Sequence, residues 1–431
     1  MAQDHFDHTS QLDGVAIQAG DGPSVKSLIG EMISYSDSPG NERHRLSLLR
    51  LARALVQALE TPRETVLRLC WAEPTLYGAI ITAIDCGIFS TMGKNPDSPI
   101  SVIQLSEATQ TDPALLGRIM KHLAAMGVVQ ERAVDVYFPT SLSLTLALPK
   151  YADGFTCMAE GAMRAIYKLP AYFQSVGYRN PDDATAGPFQ FAYGTSQHWF
   201  SWASDHPAVC QQFNNHMSAY HQGRPSWMDL DFYPVEEALL TGAKSDSDAV
   251  LLVDVGGGLG HDLAEFHRKH PFAPGRLIVQ DKGDVIQPIS GNLGKVEAMA
   301  HDFFTEQPIK GLTPIRSLLQ LRDLTVPGAR AYYLHSVLHD WPDHECHLIL
   351  KRIAAAMTPG YSKLLINENV VPDLGADWQI TGLDLMLMTL VSARERRENE
   401  WRQLLEMAGF RIVNIWSHVN GVESLIECQL A

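Results

Sequence analysis

The spacing of apolar residues changes character along the chain. From about 41 to 70, Leu46, Leu49, Leu51, Leu55 and Leu59 alternate with Arg and Glu, mostly three or four residues apart, which predicts an amphipathic helix. Leu76 to Phe89 predicts a second, more apolar one. Leu105 to Leu123 reads as helix, turn, helix, with Asp112 as the cap of the second and Pro113 at its first helical position. After Gly127, Val128 to Pro139 alternates apolar and polar residues as a hairpin does, completing a winged-helix pattern. Residues 155 to 240 read as helical and aromatic-rich, whereas residues 1 to about 40, rich in Gly, Ser and Asp, read as a mobile leader.

From Leu251 the period switches repeatedly between strand and helix. Strands are expected at Leu251 to Val255, Arg276 to Gln280, Val296 to Ala300, Ala331 to Val337, Lys363 to Val370, Arg411 to Trp416 and Glu423 to Gln429. Helices are expected up to about Lys269, over Asp343 to Met357, over 378 to 391 and over Glu398 to Ala408. This alternation implies a mostly parallel sheet covered on both faces, and the short turn His418 to Val422 makes the last strand antiparallel.

Charge decides what the winged helix is for. The chain has 431 residues and a formal net charge of -15. Between Pro99 and Lys150, Arg118, Lys121, Arg132 and Lys150 are matched by Glu107, Asp112, Glu131 and Asp135, so no basic face exists to release counterions from DNA. No nucleic-acid partner is expected, and the apolar helices, such as Trp71 to Phe89, point to dimerisation instead. The six cysteines have no paired spacing, which indicates neither a disulfide framework nor a zinc site. No apolar run approaches the ~18 residues of a membrane span, and a cytoplasmic location is expected.

The most specific chemistry lies in Leu251-Leu-Val-Asp-Val-Gly-Gly-Gly-Leu-Gly-His-Asp262, an apolar strand breaking into glycines that let a ligand approach bare backbone. Asp281, ending the next strand, stands where an acid binds ribose hydroxyls. A nicotinamide dehydrogenase and an S-adenosylmethionine enzyme both fit these two features. His301-Asp-Phe-Phe304 offers an acid and an aromatic for an adenine edge and face. Val337-Leu-His-Asp-Trp-Pro-Asp343 puts His339 at the carboxyl edge of the sheet, with Glu368 ending the neighbouring strand and Glu395 in Ala393-Arg-Glu-Arg396.

With these residues the chain, over about 70 to 430, resembles the S-adenosylmethionine-dependent O-methyltransferases of the caffeic acid type, which carry a winged-helix dimerisation domain, and within them the fungal polyketide methyltransferases. The marks are Val253-Asp-Val-Gly-Gly-Gly-Leu-Gly, Gln280-Asp, His301-Asp-Phe-Phe, Leu338-His-Asp-Trp-Pro-Asp, Glu395-Arg396 and Glu406-Met-Ala-Gly-Phe-Arg. The resemblance implies a Rossmann-like seven-stranded methyltransferase domain over 241–431, preceded by a leader (1–40), a mainly helical winged-helix dimerisation domain (41–150) and a helical linker with the acceptor pocket (151–240). It implies S-adenosylmethionine as cofactor and no metal. Asp254, Gly256 and Gly258 would line the cofactor with Asp281 on the ribose, Asp302 and Phe303 on the adenine, and His335 nearby. Phe213 and Met217, in a Phe-Asn-x-x-Met match, would line the acceptor pocket. His339 would be the general base, flanked by Glu368 and Glu395. Two positions depart from the pattern: His335 stands where relatives often carry Lys or Arg, and Asp281 is followed by Lys-Gly rather than an apolar residue and Pro.

The expected reaction is methyl transfer to a hydroxyl, most simply a phenol, of a small aromatic secondary metabolite such as a polyketide, by a homodimer. A phenol with pKa ~10 and an imidazole with pKa ~6.5 make proton transfer uphill by about 5 kcal/mol unless neighbouring charges help. A pericyclase on the same fold and a non-catalytic cofactor-binding protein are the alternatives. Leu312 to Gly328 stands out as extra, because deleting it joins Lys310-Gly311 to Ala329-Arg330 smoothly. It is either a surface insertion or an unremoved intron, which the transcript would decide.

Overall fold

Asp21 caps a helix, Gly22–Tyr35, inside the stretch expected to be a mobile leader. The leader reading is thereby corrected for these residues. The helix lies against the next one, Glu42–Leu59: the Asp21 amide donates to the Ala58 carbonyl at 3.3 Å, and the Tyr35 and His44 rings meet edge to face at 5.4 Å. The Gly, Ser and Asp content of the stretch masked a half-buried apolar stripe, Val25, Leu28, Met32 and Tyr35, at helical spacing. The structure, a computed structural model, describes residues 13–36, 40–220, 223–287, 294–311, 328–418 and 422–431. Most of the extra segment, residues 312–327, lies outside this set, as do residues 419–421 of the last expected turn. The two ends of the extra segment meet, since a Cβ on Gly328 would stand 3.0 Å from the Gly311 nitrogen.

The chain divides into two units, 1–156 and 157–431. In the first, the helix expected over 41 to 70 is broken at Glu60, where Thr61 and Glu64 form a capping box and Pro62 starts a new helix, Pro62–Leu67. Helices Val102–Thr109 and Pro113–Ala125 form the expected helix-turn-helix, with Asp112 Oδ1 accepting from the Leu115 amide at 2.9 Å. Strands Ile100–Ser101 (β1), Val129–Ala133 (β2) and Val136–Pro139 (β3) make an antiparallel sheet in the order β1-β3-β2. Ile80, Phe89, Leu105, Leu116, Met120, Leu123 and Tyr137 fill the core of this unit.

The second unit is built on Val250–Val255 (β4), Arg276–Asp281 (β5), Val296–Ala300 (β6), Ala331–His335 (β7), Lys363–Glu368 (β8), Phe410–Trp416 and Ser424–Leu430. Val370–Val371 (β9) and Arg396–Arg397 (β10) form a separate parallel pair, which makes the last two strands of the large sheet β11 and β12. The seven strands run in the order β11-β12-β8-β7-β4-β5-β6, parallel except at β12, which is antiparallel to both neighbours. Strand β7 shows why the sheet needs covering on both sides. Tyr332 and Leu334 enter one apolar cluster with helices Asp343–Ala356 and Glu398–Ala408, while Ala331 and Tyr333 enter another with Leu263, Phe266 and Trp227. Each large side chain buried this way contributes about 1.5–3 kcal/mol.

Two expected strands end early for polar reasons that carry into the site. β7 stops at His335 rather than Val337, because the amides of Val337, Leu338 and His339 turn onto the Glu368 carboxylate. β8 stops at Glu368 because the Asn369 carbonyl accepts from the Trp401 indole nitrogen, 3.1 Å away, outside the sheet ladder. The carboxyl ends of β4 to β8 thus bring Gly256, Asp281, Asp302, His339 and Glu368 to one edge, the usual ligand edge of an open parallel sheet.

Candidate active site

His339 sits in a tight turn, Leu338–Asp340, and is 6 % exposed. Its Nδ1 is 3.0 Å from Glu395 Oε1 and 3.4 Å from Glu368 Oε2, and its Nε2 is 3.7 Å from Asp340 Oδ1. The Nδ1 proton therefore belongs to Glu395, which leaves Nε2 as the nitrogen able to accept another. Glu395 is itself held: Asn369 Nδ2 donates to Oε1 at 2.9 Å, and its own amide donates to Asp384 Oδ1 at 2.9 Å. Glu368 Oε1 accepts the amides of Val337, Leu338 and His339 at 3.0, 2.8 and 3.3 Å, so this carboxylate fixes the turn and faces the ring at once.

Burial alone would lower the pKa of His339, but Glu368, Asp340 and Glu395 outweigh it and raise the imidazole to about 10. Burial raises Asp340 to about 7 and raises Glu368 as well. The cluster thus stabilises the imidazolium, the state His339 reaches after taking a proton, and a phenol of pKa ~10 is matched to it rather than lying about 5 kcal/mol uphill. Below about pH 10 the unliganded site holds the protonated ring, so kcat/KM should rise with pH from neutrality and level off near that value. Glu395→Gln should move this limb to lower pH by removing one of the charges that hold the proton. A flat wild-type profile from pH 7 to 10 would remove His339 from the proton transfer.

The glycine turn after β4 is shaped for close approach. Gly256 has φ +77°, and a Cβ there would come within 2.9 Å of Val337 and 3.6 Å of Phe303. At Gly257 a Cβ would stand 2.4 Å from the Asp254 carboxylate, so that side chain lies directly under the loop. Asp254 is buried, its Oδ1 has no partner among the described residues, and burial holds its pKa well up. Asp281 Oδ2 accepts from the Gly258 amide at 2.8 Å, and Oδ1 from the Lys282 amide at 2.7 Å, with acceptor positions to spare. Asp302 is exposed and turned onto the Phe304 amide at 3.0 Å, while Phe303 packs against Phe304 and Trp341 with centroids 5.0 and 5.9 Å away. His335 Nδ1 lies 2.6 Å from Asp262 Oδ2 on the helix His261–Lys269. Burial lowers its basicity, Asp262 more than restores it, and the imidazole ends at about 9, a cation at neutral pH as a Lys or Arg would be.

Beside this edge, helix Trp378–Val391 packs Leu387, Leu390 and Val391 against Phe189 and Trp199, with Phe213 and Met386 at the margin. The Phe213 ring meets those of Trp199 and Phe200 at 4.9 and 6.1 Å, whereas Met217 is 36 % exposed.

A family model described as an O-methyltransferase domain matches residues 179–411. The chain is 35 % identical over 412 residues to O-methyltransferase mpaG of Penicillium brevicompactum, covering 95 % of this chain and 99 % of that one. The chain belongs to the O-methyltransferase family. Among solved structures, a pericyclic reaction enzyme superposes with TM-score 0.83 at 26 % identity, covering 95 % of this chain and 99 % of its own. LepI in complex with SAM gives 0.82 at 26 % identity, covering 95 % and 100 %. That neighbour holds SAM, and in this chain the glycine turn lies over the buried Asp254 carboxyl group, whose Oδ1 has no partner among the described residues.

The fold brings His339, Glu368 and Glu395 together, and it gathers Gly256, Gly258, Asp254, Asp281 and Phe303 around one turn. Asn369, Asp340 and Asp262 were missed as site residues. Each is a direct neighbour of a residue already singled out, Asn369 after Glu368, Asp340 after His339 and Asp262 closing the glycine stretch, and that adjacency was the available signal.

Proposed function

We propose that this O-methyltransferase transfers a methyl group to a phenolic hydroxyl of an aromatic polyketide or similar secondary metabolite, with His339 as general base. The observation that carries this reading is the orientation of the imidazole: Nδ1 is held 3.0 Å from Glu395 and Nε2 is left for an acceptor proton. Bound S-adenosylmethionine supplies a methyl group on a sulfonium cation, whose charge favours the neutral imidazole and the acceptor oxyanion. Asp254, Gly256, Gly258, Asp281, Asp302, Phe303 and His335 are the residues we assign to hold it. Phe213 and Met217 are assigned to the acceptor, as a flat aromatic beside an adaptable thioether suits a planar ring. Positioning then does most of what remains for an in-line displacement.

The chemistry calls for no metal, although the ligand atoms of His339, Glu368 and Glu395 lie within 4.8 Å of one another and suit a cation in general. Incubation with hydroxylated aromatic polyketides and methyl-labelled cofactor should give labelled, O-methylated product, with and without a strong chelator. A rearranged product of unchanged mass would favour the pericyclase reading, which the similarity to a pericyclic reaction enzyme keeps in play. Loss of activity on chelation, restored by a divalent ion, would reassign the cluster.

We further propose a cytoplasmic homodimer. Leu49, Val56, Leu59, Val66, Leu69 and Trp71 are exposed in the first unit, with Trp71 at 67 %, and a partner would cover them. None of the six cysteines is in a disulfide, and no helix among the described residues is long and apolar enough to cross a membrane. Sedimentation at micromolar concentration should show a dimer, and a monomer there would count against this assignment.

A further inference from the structure

Arg396 is the one member of the Glu395-Arg396 mark that the reaction leaves without a task. Its side chain is fully buried, which is costly for a guanidinium unless every donor is used. All three of its nitrogens donate, to the turn that carries His339 and to the segment and helix that follow it. Nη1 donates to the Leu338 carbonyl at 2.9 Å, Nη2 to the Trp341 carbonyl at 2.9 Å, and Nε to Asp343 Oδ1 at 2.9 Å, while Nη2 also lies 3.3 Å from Cys346 Sγ. The Trp401 ring lies 5.2 Å below the cation. The turn is thus gripped from two sides. Glu368 takes its three amides, and Arg396 takes two of its carbonyls.

The two grips belong to one small assembly. β10 pairs in parallel with β9, placing Arg396 opposite Val370, two residues beyond Glu368. Residue 395 holds the ring of His339 and residue 396 holds the backbone beneath it, so a shift of this strand moves the imidazole and its carboxylate together. Lysine cannot replace this arrangement, because a single ammonium lacks the planar fork that reaches two carbonyls and a carboxylate at fixed angles.

We propose that Arg396 is a positioning residue for His339, keeping Nε2 at the height where the acceptor hydroxyl meets it. This rests on the reading of His339 as the base, and the test separates the two. Arg396→Met and Arg396→Lys are made in the full chain, alone and in the His339→Ala background, with Asp343→Asn as a milder variant that leaves the arginine in place but unfastens it. Rates are measured at saturating cofactor, below each variant's thermal midpoint. Arg396→Met should lower kcat by about 10- to 100-fold, the usual cost of an ångström-scale misplacement, with cofactor Kd unchanged. Arg396→Lys should not restore it, and Asp343→Asn should show a smaller fall. In the His339→Ala background the same substitutions should have no further effect, because the residue they act through is gone. An equal fall in both backgrounds would make Arg396 a general structural residue, and an unchanged kcat in the wild-type background would overturn the proposal outright. If Arg396→Met does not fold, the Lys and Asn variants carry the same comparison. A His339→Ala protein with near wild-type rate would instead reject the base assignment, whatever Arg396 does.

Discussion

His339→Ala should lower kcat by about 10²- to 10⁴-fold while cofactor affinity stays nearly unchanged, the span that a positioned general base usually contributes. The affinity is spared because, among the described residues, the polar partners of the ring are Glu368, Glu395 and Asp340 rather than the glycine turn. Stability will respond as well, since removing the imidazolium leaves two buried carboxylates without their cation. A loss of rate measured far below the unfolding temperature is therefore the informative quantity. The pH response then separates a base from a residue that shapes the pocket. As the acceptor ionises unaided, the residual rate of the variant should climb with pH, and solution hydroxide should partly replace the missing base. Near wild-type kcat at neutral pH would end the assignment. A residual rate indifferent to pH would make His339 structural.

Asp281→Ala should do the opposite and weaken the cofactor rather than the chemistry. The carboxylate accepts the Gly258 amide at 2.8 Å, so it fixes the glycine turn, and on the assignment proposed above it would also offer acceptors to ribose hydroxyls. Hydrogen bonds to a charged group are worth about 1.5–3 kcal/mol each, so cofactor Kd should rise by about 10- to 100-fold. kcat at saturating cofactor should fall by less than about tenfold, because nothing in the His339 cluster is disturbed. Asp281→Asn should fall between, keeping one acceptor for the turn but no charge. Isothermal titration of the cofactor gives the first quantity and saturation kinetics the second. Unchanged affinity in Asp281→Ala would remove this residue from the ribose site.

Much of the methyltransferase unit was legible because its signals are local. A strand buried on both faces must be largely apolar, as Leu251 to Val253 and Leu364 to Ile366 are, and a chain that leaves it for a ligand turn needs glycine. These requirements fix sheet, edge and cradle from residue types alone. They do not say which polar groups compete with the sheet ladder. Strand β7 ends two residues early because a carboxylate from the next strand captures three of its following amides, an arrangement between residues about thirty positions apart that no local period records. The helix Gly22–Tyr35 does carry an apolar stripe, Val25, Leu28, Met32 and Tyr35 at three- and four-residue spacing and half-buried, but the Gly, Ser and Asp around it in residues 1 to 40 outweighed that stripe in a reading by composition.

Site residues divided along the same line. His339, Glu368 and Glu395 were identifiable as chemically capable groups at strand ends and in a marked motif, and their residue types determined that proton transfer was available. Only the tertiary structure decided which imidazole nitrogen is committed to Glu395 and which way the ring's basicity moves, because both depend on carboxylates converging on a buried ring from three separate segments. Arg396 shows the limit most clearly. Its sequence neighbour Glu395 marks it as special, but whether a guanidinium is a surface charge or the clamp on a catalytic turn depends on which carbonyls the fold brings within 2.9 Å of it, and those come from residues more than fifty positions earlier.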